Sequence, residues 1–201
     1  MAIPASENIV IRKGSTYART IRWDTGVPTF KGITGITRTA PPIITCVSHN
    51  IPEGWPVTIV SVQGMDEINN VNNADDRSYY TTASVVDVDN VKLPFLNTSE
   101  FTTYSGGGYI KYYTPKDLSD FSARLQIRQT ALDDTEVVSL VSPTDITLDN
   151  TNKTITFTIS ATVTAAFGIY QGVYDLEVEN TQGVVYKLLT GDIEIIDEVT
   201  R

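Results

Sequence analysis

The sequence predicts an all-β fold, a β-sandwich whose chain is interrupted by a second, smaller all-β module. Apolar and polar residues alternate with period two through most of the chain, while the i, i+3, i+4, i+7 spacing of an amphipathic helix is nearly absent. The alternating segments are rich in Val, Ile, Thr and Tyr, which suit a pleated, half-buried surface. Residues 39–115 differ in texture from their flanks and are bracketed by Pro41, Pro42 and Pro115. With 201 residues, the chain can form two domains of common size.

In chain order, strands are expected over 8–12 and 17–23, and then, after the interruption, over 122–129, 137–140, 154–159, 172–179, 184–190 and 192–198. In the strand at 172–179, Val173, Asp175, Glu177 and Glu179 alternate with Tyr174, Leu176 and Val178, setting a largely charged face toward solvent and an apolar face toward a core. The turn at 179–183 ends in Gly183, which supplies positive φ, so the strands on either side should form a hairpin. A second turn is expected at 149–152. Only 160–168 suggests a helical turn, with Ser160 or Thr162 as N-cap and Gly168 as stop.

Inside the interruption, short strands are expected over 43–48, 55–62, 79–88, 92–94 and 108–113, as in a small barrel, with 66–78 as a mobile loop rich in Asn and Asp. Residues 1–38 and 116–201 then make one discontinuous sandwich and 39–115 an inserted small β-barrel. Such insertion is tolerated where it replaces a loop tip.

Composition excludes several classes of function. The net charge of −9 opposes binding along a phosphate backbone, so nucleic acid is not an expected partner. No apolar run approaches the roughly 20 residues of a membrane helix, and the N-terminus lacks the basic start and apolar run of a secretory signal, so synthesis in a cytoplasm and no membrane contact are expected. The single cysteine, Cys46, lies in an apolar strand and reads as a buried thiol, with neither a disulfide nor a cysteine-based metal site.

Candidate chemistry is sparse. His49 is the only histidine, and hydrolytic catalysis would have to use it; its place before a turn reads instead as a backbone cap. Asp87 and Asp89 share one face of a strand but lack the dense Asp, Asn and Gly pattern of a calcium loop. Gly106, Gly107 and Gly108 precede a strand rather than a helix, so they form a turn and no phosphate cradle. The acids at 133–136 read as an exposed turn. No enzyme activity, cofactor or metal is expected. The aromatic residues Trp55, Phe95, Phe101, Tyr104, Tyr109, Tyr112 and Tyr113 are the interface candidates, although packing in and around a small barrel accounts for such residues equally well.

Two blocks carry a resemblance. Asp117-Leu118-Ser119-Asp120-Phe121-Ser122-Ala123-Arg124-Leu125-Gln126-Ile127-Arg128, with Ile146-Thr147-Leu148, Ile155-Thr156-Phe157-Thr158-Ile159, Gly172-Val173-Tyr174-Asp175-Leu176-Glu177-Val178 and Gly191-Asp192-Ile193-Glu194-Ile195, resembles tailed-bacteriophage virion proteins, including the immunoglobulin-like N-terminal domain of phage upper baseplate proteins. Thr45-Cys46-Val47-Ser48-His49-Asn50-Ile51-Pro52-Glu53-Gly54, Val57-Thr58-Ile59 and Gly64-Met65-Asp66-Glu67-Ile68-Asn69 are similar to the small β-barrel repeats of phage tail and fibre proteins, except that Asn50 stands where the common pattern has glycine. The resemblance implies an immunoglobulin-like β-sandwich with an inserted small β-barrel module. It also implies a virion protein of the tail, baseplate or neck that assembles with other phage structural proteins, as a homo-oligomer in the particle, and anchors fibres or receptor-binding proteins. Fold analogy alone does not fix function. The alternatives are a capsid decoration or head-fibre attachment protein, and a carbohydrate-binding module in which Trp55, Tyr104 and Tyr109 stack on sugar rings.

Overall fold

The computed structural model describes residues 4–199, and its chain divides into two compact units, 1–23 with 116–201, and 24–115. Three strands open the first unit: β1 (Ala5–Ser6), β2 (Ile9–Arg12) and β3 (Tyr17–Arg22). The second unit holds β4 (Asp24–Gly32), β5 (Gly35–Ile36), β6 (Ile43–Thr45), β7 (Pro56–Gln63), β8 (Thr81–Thr82), β9 (Ser84–Val85), β10 (Asn90–Lys92) and β11 (Gly106–Pro115). The chain then returns through β12 (Phe121–Arg128), β13 (Val138–Val141), β14 (Ile146–Asp149), β15 (Thr154–Ile159), the short helix α1 (Ala161–Ala165), β16 (Gln171–Asn180) and β17 (Val185–Ile196).

The first unit is a sandwich. One sheet runs β1-β17-β16-β12-β13, with β2 also paired to β17, and the other runs β14-β15-β3. Alternate residues of both sheets meet in one core: Leu125 and Ile127 of β12, Tyr174, Leu176 and Val178 of β16, and Ile193 and Ile195 of β17 pack with Ile155, Phe157 and Ile159 of β15. The order matches an immunoglobulin-type sandwich in which β3, β15 and β14 take the places of strands B, E and D, and β13, β12, β16 and β17 those of C′, C, F and G. The second unit then replaces the B–C connection. Its entry and exit are adjacent on the sandwich, where the Lys116 N–H donates to the Trp23 carbonyl at 2.9 Å.

Most of the local expectations have a visible cause. In β16 the buried positions fall on Gly172, Tyr174, Leu176 and Val178, with the charged residues between them. Ser160 caps α1 by accepting from Val163 N–H at 3.3 Å. Gly183, at φ 77°, closes the β16–β17 turn by donating to the Asn180 carbonyl. The strands expected at 184–190 and 192–198 are a single strand, β17, because Gly191 does not break it. Gly191 instead gives room to a crossing chain, since a Cβ there would stand 2.1 Å from the Glu7 carbonyl oxygen, which also accepts from the buried Tyr174 hydroxyl at 2.8 Å. Residues 5–6 pair in parallel with β17.

The second unit corrects two expectations. Its boundary lies at residue 24 rather than 39, because β4 pairs along β11 from Gly32 opposite Tyr109 to Asp24 opposite Pro115. Gly26, Pro28 and Gly32 hide this strand in the sequence, yet β4 is an edge, where proline is tolerated. Nor do the described residues close a barrel. They form two four-stranded sheets, β4-β11-β7-β8 and β5-β6-β10-β9, around one core that includes Ile44, Val57, Met65, Val91 and Ile110. Closure fails where a strand was expected over 79–88. That stretch is the end of a 3-10 turn, Arg77–Tyr79, followed by two strands of two residues each, parted by the buried Ala83. Cys46 is buried in this core, which pushes its thiol up to about 11.

Candidate interaction surface

The seven aromatic candidates do not form one cluster. Trp55, 2% exposed, and Tyr112, 3% exposed, are core residues of the inserted unit and are withdrawn from any surface role. Each has found a partner for its polar tip, as burial of such rings demands: Trp55 Nε1–H donates to the Tyr113 carbonyl at 2.9 Å and the Tyr112 hydroxyl to the His49 carbonyl at 2.7 Å. Burial pushes the Tyr112 hydroxyl up to about 12. Phe101 and Tyr104 are partly buried against the same core, and the Tyr104 hydroxyl donates to the Ile33 or Gly107 carbonyl. Tyr109 and Phe95 are exposed, at 48% and 86%, and Tyr113 is half-buried.

Tyr113 lies beneath a strap made of residues 72–80, which overlaps the stretch 66–78 expected to be a mobile loop. The strap is pinned at several points across the outer face of β4 and β11. Lys111 on β11 is buried, and its Nζ donates to the Ala74 carbonyl at 2.7 Å and to Asp75 Oδ1 at 2.5 Å. The Arg77 guanidinium stacks 3.9 Å over the Tyr113 ring and donates to both oxygens of Asp24, at 2.6 and 3.1 Å. Tyr80 stacks on Tyr113 and its hydroxyl donates to the Ala74 carbonyl. Burial alone would lower Lys111, but the hydrogen bond and charge of Asp75 raise it above its ordinary value. Replacing Lys111 with Met is expected to remove about 1.5–3 kcal/mol of charge-assisted hydrogen bonding and to free the strap, measured as faster limited proteolysis within 72–80.

The same pair sets an acid response. The Lys111 ammonium, by its hydrogen bond and its charge, holds Asp75 below the usual carboxylate range. Hydrogen bonds likewise depress Glu67, Asp76 and Asp87 in this unit. A carboxylate lowered by folding stabilises the fold above its unfolded pKa, and this contribution is lost as pH falls through the folded one. The inserted unit is therefore expected to lose stability, and the strap its anchor, as pH drops below about 4. Amide NMR signals of residues 72–80 followed from pH 6 to pH 2 check this; an unchanged strap at pH 2 contradicts it.

The remaining candidates are structural. His49 is buried, accepts from Ile51 N–H at Nδ1 (2.9 Å), and so carries its proton on Nε2, which donates to the Asp87 carbonyl at 2.8 Å. Both ring nitrogens serve the backbone. Asn50 takes φ 55°, a conformation asparagine tolerates better than most residues. Asp87 accepts from Asp89 N–H and the Asn90 amide, and Asp89 from Ser48 N–H, so both brace turns. Among the described residues, no three or more His, Cys, Asp or Glu side chains gather to hold a metal. Gly108 lets β11 pass close to β7, since a Cβ there would lie 2.4 Å from the Val62 side chain. The acids at 133–136 cap their own turn through Thr130 and the Arg128 and Gln126 side chains.

The exposed aromatic Phe95 belongs to a patch that the sequence reading missed. A groove of about 270 Å³ in the inserted unit has a floor of Ile59, Ile68 and Leu93, polar walls of Thr58, Thr81 and asparagines, and no charged residue. At its rim stand Phe95, Val71 (90% exposed) and Tyr79 (51% exposed). All three are fixed by local bonds. Phe95 follows Pro94 in a turn closed by Leu96 N–H on the Leu93 carbonyl; Val71 follows Asn70, whose N–H bonds the Ile59 carbonyl; Tyr79 ends a 3-10 turn capped by Asp76. Val71 between two asparagine pairs was the available signal, an apolar residue with no periodic reason to be there. A second exposed pair, Phe30 and Tyr109, meets edge to face at 6.2 Å on the outer face of β4 and β11. No protein-family model matches the sequence, and a search of curated proteins finds no match.

Proposed function

We propose that the protein is a structural component of a tailed-bacteriophage virion, in the tail, baseplate or neck, and that its work is binding rather than catalysis. In this reading the sandwich docks onto the particle, and the inserted unit offers its surface to a neighbouring subunit, fibre or receptor-binding protein. The observation that carries it is the display of large apolar side chains, Phe95, Val71, Tyr79, Phe30 and Tyr109, on the pinned turns and edge sheet of the inserted unit. Exposed apolar side chains gathered in this way mark protein contact sites, and rigid anchors lose little entropy on binding. Repeated copies in a ring make weak contacts strong through effective concentration.

The second reading, a capsid decoration or head-fibre attachment protein, uses the same surface elsewhere on the particle. The carbohydrate-binding alternative loses Trp55 from its proposed platform, because that ring is buried, and keeps only the exposed Tyr109 and the partly buried Tyr104. Gold-labelled antibody on intact particles of the source phage tests the proposal. Label at the tail tip or neck supports it, label spread evenly over the head moves the protein to decoration, and unlabelled particles overturn both.

A further inference from the structure

We infer that the Phe95 groove is a self-docking surface, in which Phe95 of one copy enters the groove of a second copy of this chain and receives its partner's Phe95 in return. The inference rests on reading the inserted unit as an assembly surface and names the occupant of that surface.

Three features select a second copy. The first is self-complementarity. Phe95 is a knob, 86% exposed, and the groove beside it is apolar at its floor. A volume of about 270 Å³ leaves room for a phenyl ring, since an apolar cavity of roughly 150 Å³ holds benzene. A knob and a matching hole in one patch are what a two-fold contact requires, because each surface must meet itself.

The second is charge. The chain carries a net −9, so most pairings of its surface with itself set like charges together. The groove and its rim contain no charged residue, which makes this patch one where two acidic copies meet without that cost.

The third is rigidity. The proline turn at Leu93–Leu96 and the bonded turns under Val71 and Tyr79 hold the rings away from the core, so the apolar surface does not fold back on itself.

The contact is small, so the free chain should associate weakly and be held firmly only where copies are arrayed. The test is sedimentation equilibrium of the full chain from about 10 μM to about 1 mM, a range that spans weak association. Wild type should shift from monomer to dimer. Phe95→Asp and Val71→Asp, both at exposed positions and each checked for native circular dichroism, should weaken dimerisation roughly tenfold or more. Leu132→Asp, equally exposed on the sandwich, should leave it unchanged. A wild type monomeric throughout overturns the inference, as does a dimer indifferent to both groove variants. Neither result touches the gold-label test, which reads the location on the particle independently.

Discussion

Replacing Trp55 with Ala should remove about 3–5 kcal/mol from the inserted unit, the usual cost of emptying a buried aromatic site. Trp55 is 2% exposed among Ile51, Val57 and Ala83 of the core, and its Nε1–H is committed to the Tyr113 carbonyl. The deletion thus leaves a cavity and takes the indole donor from a part-buried carbonyl. In a domain of this size each kcal/mol is worth roughly 4–8 °C, so the melting transition of the unit should fall by well over 10 °C. Because the sandwich has a core of its own, its transition should stay in place. Differential scanning calorimetry resolves the two. A fall in both transitions together would contradict the separation of cores.

The reciprocal change, Phe157→Ala, should cost a similar 3–5 kcal/mol and act on the sandwich alone. Phe157 is fully buried on β15, where it faces the opposite sheet across the core and lies near the Tyr17 ring at 6.2 Å. Calorimetry should now show the sandwich transition falling while the inserted unit melts as in wild type. Equal loss of the inserted unit's transition is the contrary outcome, because nothing in its own core has changed.

The difference between the two units also explains how much of the fold was legible in the sequence. The sandwich was readable because its strands bury one face against one core, so β12, β15 and β16 show period-two alternation over six or more residues. The inserted unit spreads its core over short strands, loops and 3-10 turns, where periodicity has no length in which to appear. β4 was missed because a proline and two glycines obscure an edge strand defined by its partner, β11. The strap looked mobile because its anchors, Lys111 and Asp24, lie far from it in sequence.

The candidate surface was legible only in part, for a related reason. Composition identifies aromatic residues but cannot say which way a ring points. Trp55, one residue before β7, and Tyr112 on β11 turn inward to the core, whereas Phe95 stands outward on a proline-led turn. Tyr79 and Val71 line the same groove through tertiary packing, of which the isolated Val71 among asparagines is the one local hint.

In the function we propose, this chain is a working part of a phage particle and acts by binding its neighbours. Quantitative mass spectrometry of gradient-purified particles from the source phage tests it most directly. The account predicts the chain in a fixed ratio to the other tail or baseplate proteins, retained after a high-salt wash. Particles that are complete and infectious yet lack the chain would contradict it.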